Sequence, residues 1–282
     1  MELLICGSGA AESMPALFCD CQVCQTARQR GGKELRSRTA YQLGDQLRID
    51  WGPDSAWHGQ RFNLHYERLS HLLMTHAHND HWLVNELDNR RRSMIHNAEC
   101  SILTIHGNEA IGASLHEKLH GDLNDYGIRF HQVQPFEPFR LDDLDMTVVA
   151  VAANHDPDQL CLNYVIGHAG RWLFQGNDTG FPSERTWHFL KDYRFNIAIL
   201  DATFGTNPAF SHNDQHMSAQ GVIDAFAKLE AQGSLADDCR RITTHFSHQG
   251  LCNHDQLEAI FAPHGIDAAY DGLRVPLLTD AR

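Results

Sequence analysis

The 282-residue sequence predicts an α/β fold, on two observations. Short Val/Ile/Leu-rich runs of strand length recur with turn residues between them, and amphipathic helical patterns fall among those runs. A hydrophobic share of 42% suffices for one sizeable core. No repeat, low-complexity tract or long Pro/Gly/Ser linker divides the chain, so a single domain over residues 1–282 is expected.

In chain order, the predicted strands are Leu3–Cys6, Tyr41–Leu43, Leu47–Ile49, Leu69–Met74 and Ile102–Ile105. Thr147–Ala152, Tyr164–Ile166, Trp172–Phe174, Ile197–Leu200 and Ile242–Thr244 follow. Helices are expected at Glu109–His120, Ser183–Tyr193, Ser218–Ala231 and Asp255–Phe261. Ser183 precedes Glu184 and an apolar face, and Asp255 has Glu258 three residues on, the spacing of a capping box. Strands leading and helices following in each half suggest two packed sheets with helices outside, an αββα sandwich. Periodicity by itself supports α/β with strand pairs; the motifs below carry the sandwich.

Bulk properties narrow the function. No stretch approaches the ~20 apolar residues a membrane span needs. MELLICGSGAAESMP lacks a basic leader and turns glycine-rich after five residues, so it reads as a first strand entering a turn, and a cytoplasmic protein is expected. The net charge of −13 repels polyanions, which disfavours nucleic acid as a partner.

The chemistry is concentrated in Thr75-His76-Ala77-His78-Asn79-Asp80-His81, which follows the apolar run Leu69–Met74. At a strand end, residues two apart point the same way, so His76 and His78 can converge on one metal. Asp80 and His81, where the chain would turn into a helix through Trp82–Leu87, can face a second. Imidazole and carboxylate ligands suit Zn, Mn or Fe. A second cluster, Cys19-Asp20-Cys21-Gln22-Val23-Cys24, sets three thiols within six residues, which favours a tetrahedral zinc that needs one more ligand. The other five cysteines, Cys6, Cys100, Cys161, Cys239 and Cys252, read as small buried hydrophobes.

The HxHxDH pattern resembles the hallmark of the metallo-β-lactamase superfamily, and later segments match its remaining positions. Asp50 in Ile49-Asp50-Trp51-Gly52 resembles the early acidic motif that supports the site from behind. His155 in Asn154-His155-Asp156, Asp178 in Gly176-Asn177-Asp178-Thr179-Gly180, and His245 after Ile242–Thr244 match the later ligands. The resemblance implies that His76, His78 and His155 hold one divalent ion and that Asp80, His81 and His245 hold another. Asp178 would bridge them. One departure is Val84, where many members carry glycine three residues after the last histidine of the motif.

The cysteine loop is similar to that of PhnP-like phosphodiesterases, which close the zinc site with a histidine three residues beyond the last active-site histidine, here His248. Ala268–Leu273 resembles their closing Asp-Gly segment. His216, ahead of the Ser218–Ala231 helix, matches a histidine that contacts the scissile phosphate or protonates the leaving group, with His212 a competing candidate.

The resemblance implies an αββα metallo-β-lactamase fold and hydrolysis of a small cyclic phosphodiester or nucleotide. Water between two Zn or Mn ions is largely hydroxide near neutrality, His216 and Asp80 would be catalytic, and a third, structural zinc would sit in the cysteine loop. A homodimer is left open. A ribonuclease Z-like nuclease is disfavoured because its inserted basic, glycine-rich arm has no counterpart here. A lactonase or thioesterase could share the same ligands, and a PqqB-like accessory protein shares the cysteine loop. Asp201-Ala202-Thr203-Phe204 leans toward that last group, whereas the intact HxHxDH favours an enzyme. Arg90, Arg91 and Arg92 read as a solvated basic turn.

Overall fold

The computed structural model describes residues 1–96, 100–211 and 213–277. The first sheet is built from β1 (Glu2–Gly7), β2 (Ala40–Leu43), β3 (Leu47–Ile49), β4 (His71–Leu73), β5 (Leu103–Gly107) and β6 (Ile128–Gln132). The second comprises β7 (Pro138–Leu141), β8 (Met146–Ala152), β9 (Leu162–His168), β10 (Arg171–Gly176), β11 (Phe195–Asp201), β12 (Leu235–Thr244) and β13 (Ile266–Ala268). The last strand, β14 (Leu273–Pro276), returns to the first sheet beside β1. The strand orders are β14-β1-β2-β3-β4-β5-β6 and β13-β12-β11-β10-β9-β8-β7.

Each sheet has a parallel half and an antiparallel half. β3 through β6 run parallel, as do β10 through β13. β8 is antiparallel to β9, and β9 to β10, so β8 points the same way as β10. This arrangement lines up carboxyl ends of strands, where ligands of open α/β sheets collect. The inner faces of both sheets share one apolar cluster, including Leu3, Ile5, Tyr41, Ile49, Val148, Val165, Leu173 and Ile199, all nearly inaccessible. Polar contacts pin the sheets together near the strand ends. Tyr164 donates its hydroxyl to the Met74 carbonyl at 2.7 Å, and Tyr41 donates to Asn177 Oδ1 at 2.7 Å.

Among the described residues, six helices cover the outside: α1 (Gln22–Arg30), α2 (Ser55–Phe62), α3 (Glu109–Lys118), α4 (Glu184–Leu190), α5 (Ala219–Ala231) and α6 (His254–Phe261). Ser183 caps α4 by accepting from the Thr186 amide, as its position predicts. The cap of α6 is instead Asn253, with Gln256 completing the capping box, so the Asp255/Glu258 spacing marks the wrong pair by two residues. The helix expected through Trp82–Leu87 is a 3₁₀ segment over Val84–Arg90. Trp82 is held earlier by the bridge Trp51–Trp82, which stops a regular helix from starting at the motif.

Among the described residues, no helix is long and apolar enough to cross a membrane. Cys6, Cys161 and Cys252 are buried as expected, but Cys100 and Cys239 are only half-buried.

Candidate metal centre

The histidine cluster forms where the carboxyl ends of β3, β4, β8, β10, β11 and β12 meet. Asp50, Asp178 and His245, each just beyond a strand, adopt left-handed backbone with φ of 63°, 55° and 62°. Non-glycine residues rarely hold that conformation, and it clusters at functional sites. Here it turns each side chain out of its strand's pleat and into the cluster. The approach of neighbouring segments is equally tight: a Cβ at Gly52 would overlap the Asp80 carbonyl. The Trp51 amide donates to the His81 carbonyl at 2.8 Å alongside it.

The structure brings His76, His78, Asp80, His81, His155, Asp178 and His245 together. His76 Nε2 lies 2.9 Å from His78 Nδ1, and His155 Nε2 lies 3.2 Å from the same atom. These three form one lobe. His81 Nε2, 3.0 Å from Asp80 Oδ2, forms the other with His245. Asp178 stands between them. Its Oδ2 is 3.2 Å from His76 Nε2 and 2.9 Å from His81 Nε2, while Oδ1 is 3.5 Å from both His155 Nε2 and His245 Nε2.

The second ring nitrogen of each ligand candidate is held from behind. Asp50 Oδ2 is 2.7 Å from His81 Nδ1, and Asp156 Oδ2 is 2.9 Å from His78 Nε2. Thr203 Oγ1 is 2.7 Å from His245 Nδ1, and that hydroxyl donates to Asp201. Such contacts fix ring orientation and tautomer in metal sites. Asp156 and Asp201 are the supporting residues that motif matching leaves without a role. Their signal was proximity in sequence, one residue after His155 and two before Thr203.

Electrostatics favour a cation. Burial disfavours charge throughout, yet His245, His81 and His76 hold the Asp178 carboxyl well below the usual range. Burial also opposes protonation of His81, but Asp80, Asp50 and Asp178 outweigh it and raise its pKa well above the ordinary histidine value. Among the described residues, His81 Nε2, Asp178 Oδ1 and His245 Nε2 are buried without a hydrogen-bond partner. Buried polar atoms are rarely left unpaired, and these point inward together. Imidazoles and carboxylates with mutually accessible lone pairs fit divalent ions.

His216 joins the rim of this cluster. Its Nδ1 lies 3.2 Å from Asp201 Oδ2 and 3.4 Å from Asp178 Oδ1. Burial opposes its charge, but Asp201 and then Asp178 raise its pKa to about 9. The competing candidate, His212, lies outside the described residues. The arginines stand apart: Arg90 donates to the Ser101 carbonyl, and Arg91 donates to Asp88 and Tyr126.

The second cluster also comes together in the structure. Cys19, Cys21, Cys24 and His248 offer ligand atoms that all lie within 4.8 Å of one another. His248 Nδ1 is 3.3 Å from Cys19 Sγ and 3.5 Å from Cys21 Sγ, and its Nε2 faces Glu12 Oε1 at 3.5 Å. Burial opposes the Cys21 thiolate, but the Cys24 amide and His248 bring its pKa to about 6. Cys24 is pushed up to about 12 by burial and by the neighbouring thiol. Three thiols and one imidazole are a donor set that zinc closes tetrahedrally.

Comparisons with known proteins bear on the family and the fold. Residues 47–246 match the family described as a beta-lactamase superfamily domain. The chain is 25% identical over 283 residues to the octanoyltransferase of Porphyromonas gingivalis, covering 97% of this chain and 51% of that protein. It thus spans about half the length of that curated relative. Among solved structures, a diphosphatase of the PhnP family superposes with a TM-score of 0.73 at 21% identity, covering 97% of this chain and 96% of that one. Zinc-bound PqqB from Methylobacterium extorquens superposes with a TM-score of 0.76 at 17% identity, covering 98% and 100%.

Proposed function

Because this chain belongs to the beta-lactamase superfamily, whose metallo-β-lactamase fold it adopts, we propose that it is a metal-dependent phosphodiesterase acting on small, cyclic or nucleotide-like phosphodiesters. His76, His78 and His155 would hold one divalent ion, and Asp80, His81 and His245 a second, with Asp178 shared. When bound, two such ions would lower the pKa of water and neutralise the non-bridging oxygens of a phosphate.

The observation that carries the reading is the placement of His216 at the rim of the cluster, with Nδ1 3.2 Å from Asp201 Oδ2 and 3.4 Å from Asp178 Oδ1. Its Nδ1 is occupied by carboxylates, so a proton for a leaving alkoxide would come from Nε2. Phosphodiester cleavage benefits from that proton, whereas attack on an activated carbonyl does not need it. Asp201 would orient the ring. Asp50, Asp156 and Thr203 keep His81, His78 and His245 in single orientations, so the ligand atoms are arranged before any cation arrives. The cysteine loop would carry a structural zinc that ties the N-terminal loop to the segment after His245, since His248 lies three residues beyond it.

A second reading has one observation of its own, the similarity to a protein named octanoyltransferase. It favours an acyl ester or thioester as substrate. The complete histidine set supports an enzyme over an accessory role.

Hydrolysis of bis(p-nitrophenyl) phosphate by protein loaded with Zn²⁺ or Mn²⁺ tests the proposal. Metal-dependent turnover that disappears in Asp178→Ala is expected. No phosphodiester turnover, together with rapid hydrolysis of p-nitrophenyl octanoate, would overturn it in favour of the carbonyl reading.

A further inference from the structure

Arg48 in β3 is fully buried, yet no carboxylate lies within ion-pair distance of it among the described residues. A buried charge is normally paired, so its partners are informative. Nε donates to the Asp50 carbonyl at 3.0 Å. One terminal nitrogen donates to Cys6 Sγ at 3.6 Å, and the other to Ser55 Oγ at 3.4 Å and His58 Nδ1 at 3.0 Å. The rings of Trp51 and Tyr66 lie 5.5 Å and 5.3 Å from the guanidinium carbon.

A guanidinium can only donate, which sets the direction of everything beyond it. His58 Nδ1 must accept, so His58 Nε2 carries the proton and donates to Ser37 Oγ at 2.7 Å. The Ser37 hydroxyl donates in turn to Asp271 Oδ2 at 2.6 Å. Asp271 also accepts from the Ser37 amide at 2.7 Å and from the amide and hydroxyl of Ser8, both at 2.9 Å. The Arg48 charge is therefore linked to a carboxylate through two neutral side chains, and the proton on every link is assigned. Burial, then Arg48 and Arg61, hold His58 well below the ordinary histidine value, which agrees with a neutral ring.

The other end of the relay is Asp50, whose left-handed backbone (φ 63°) needs an external clamp. Its amide donates to the Leu73 carbonyl at 3.0 Å and its carbonyl accepts from Arg48, so both sides of the residue are fixed. The carboxylate is thereby aimed at Thr75 and His81. We propose that Arg48 is a positioning residue that holds Asp50, and through it the His81 ring, with the Asp271 segment as its remote anchor. The consequence for metal binding rests on the reading of the histidine cluster given above.

The test uses the full chain, the variants Arg48→Lys and Ser37→Ala, and two measurements. In metal-free protein, the nitrogen-15 resonance and proton of His81 Nδ1 report the bond to Asp50. Zinc competition against a chelator then reports affinity at the histidine and cysteine sites separately, with Cys21→Ser as the reference for the latter. Arg48→Lys retains a cation but cannot serve Asp50 and His58 together, so it should shift the His81 signal and weaken zinc at the His81 lobe about 10-fold. Cysteine-site affinity should stay unchanged. Ser37→Ala cuts the relay at its far end and should produce a smaller shift in the same signal. An unchanged His81 signal in either soluble variant would overturn the proposal, as would equal weakening of both zinc sites. If Arg48→Lys does not fold, Ser37→Ala decides. A wild-type chain that shows the His81–Asp50 signal yet takes no zinc at its histidines would sink the hydrolase reading while the positioning role stood.

Discussion

Asp50 Oδ2 lies 2.7 Å from His81 Nδ1, and that contact decides which nitrogen of His81 faces Asp80 and Asp178. The same carboxylate accepts from the Thr75 amide and hydroxyl, both at 2.9 Å, so it also fixes the residue just ahead of the HxHxDH motif. Asp50→Asn removes the charge and can present an amide N–H toward His81, which would favour the wrong tautomer. The expected result is a fall in metal affinity or turnover of about 10- to 100-fold with the fold retained. Activity within twofold of wild type would show that His81 is oriented by something else.

Metal should stabilise the fold by mass action, because Asp178 Oδ1, His81 Nε2 and His245 Nε2 are buried without a hydrogen bond among the described residues. Zinc at 100 times its dissociation constant adds about 2.7 kcal/mol, which for a chain of this length raises the melting temperature by roughly 5–10 °C. Asp178→Ala should remove most of that increment. A melting curve indifferent to zinc and chelator would argue against ions at this cluster.

How much of this was legible in the sequence follows from where each signal resides. Ligands such as His76, His78 and Cys21 are read from spacing because the chain presents them within one turn or strand end. Asp178 and His245, each alone at a strand end, are legible only through the resemblance to the superfamily's ordered motifs. The supporting residues are less visible. Arg48, His58, Ser37 and Asp271 come from four separate segments, and only the folded sheet edge makes them neighbours. The strands that escaped prediction, β6, β7, β13 and β14, are short or carry polar residues on an open face, as in Ile128–Gln132. Helix α1 escaped because its buried residues, Val23, Cys24, Thr26 and Ala27, give little apolar contrast.

His216 separates two chemistries. As a proton donor it should matter in proportion to the leaving group's need for a proton. His216→Asn is expected to slow hydrolysis of a simple alkyl phosphodiester by about 100-fold or more. A p-nitrophenyl ester, whose leaving group departs unprotonated, should lose less than about 10-fold. Equal losses on both substrates would mean that His216 acts instead as a ligand beside Asp178, Asp201 and His245, with which it also clusters.

The cysteine cluster predicts a separable stabilising ion. Cys21→Ser should lose one metal equivalent and leave the histidine sites filled. Loss of a structural metal is among the costlier single changes, about 3 kcal/mol or more, which corresponds to a melting temperature lower by roughly 6–12 °C. Unchanged zinc content in the variant would sink the structural-zinc reading.

Three histidines remote from the metal centre, His71, His106 and His131, form a hydrogen-bonded row. His106 is buried, with Nε2 3.0 Å from His71 Nδ1 and Nδ1 2.9 Å from His131 Nδ1, and the Phe139 ring stacks on it. His71 Nε2 sits 2.8 Å from Asp143 Oδ1 and donates to it, so in the neutral chain His106 donates to His71 and accepts from His131. A second proton on His106 would set N–H against N–H. Burial first, then His71 and His131, lower its pKa from 6.5 to about 3. The unfolded chain therefore binds this proton more readily than the folded one. The stability contributed by neutral His106 is fully present above 6.5 and is lost as pH falls toward 3, at about 1.4 kcal/mol per pH unit. His58 and His76, also shifted downward chiefly by burial, act in the same direction. His106→Gln cannot titrate. Its urea midpoint should consequently decline less steeply than that of wild type as pH is lowered through this window. Parallel slopes for the two proteins would show that His106 gains its proton in the folded state as easily as in the unfolded one.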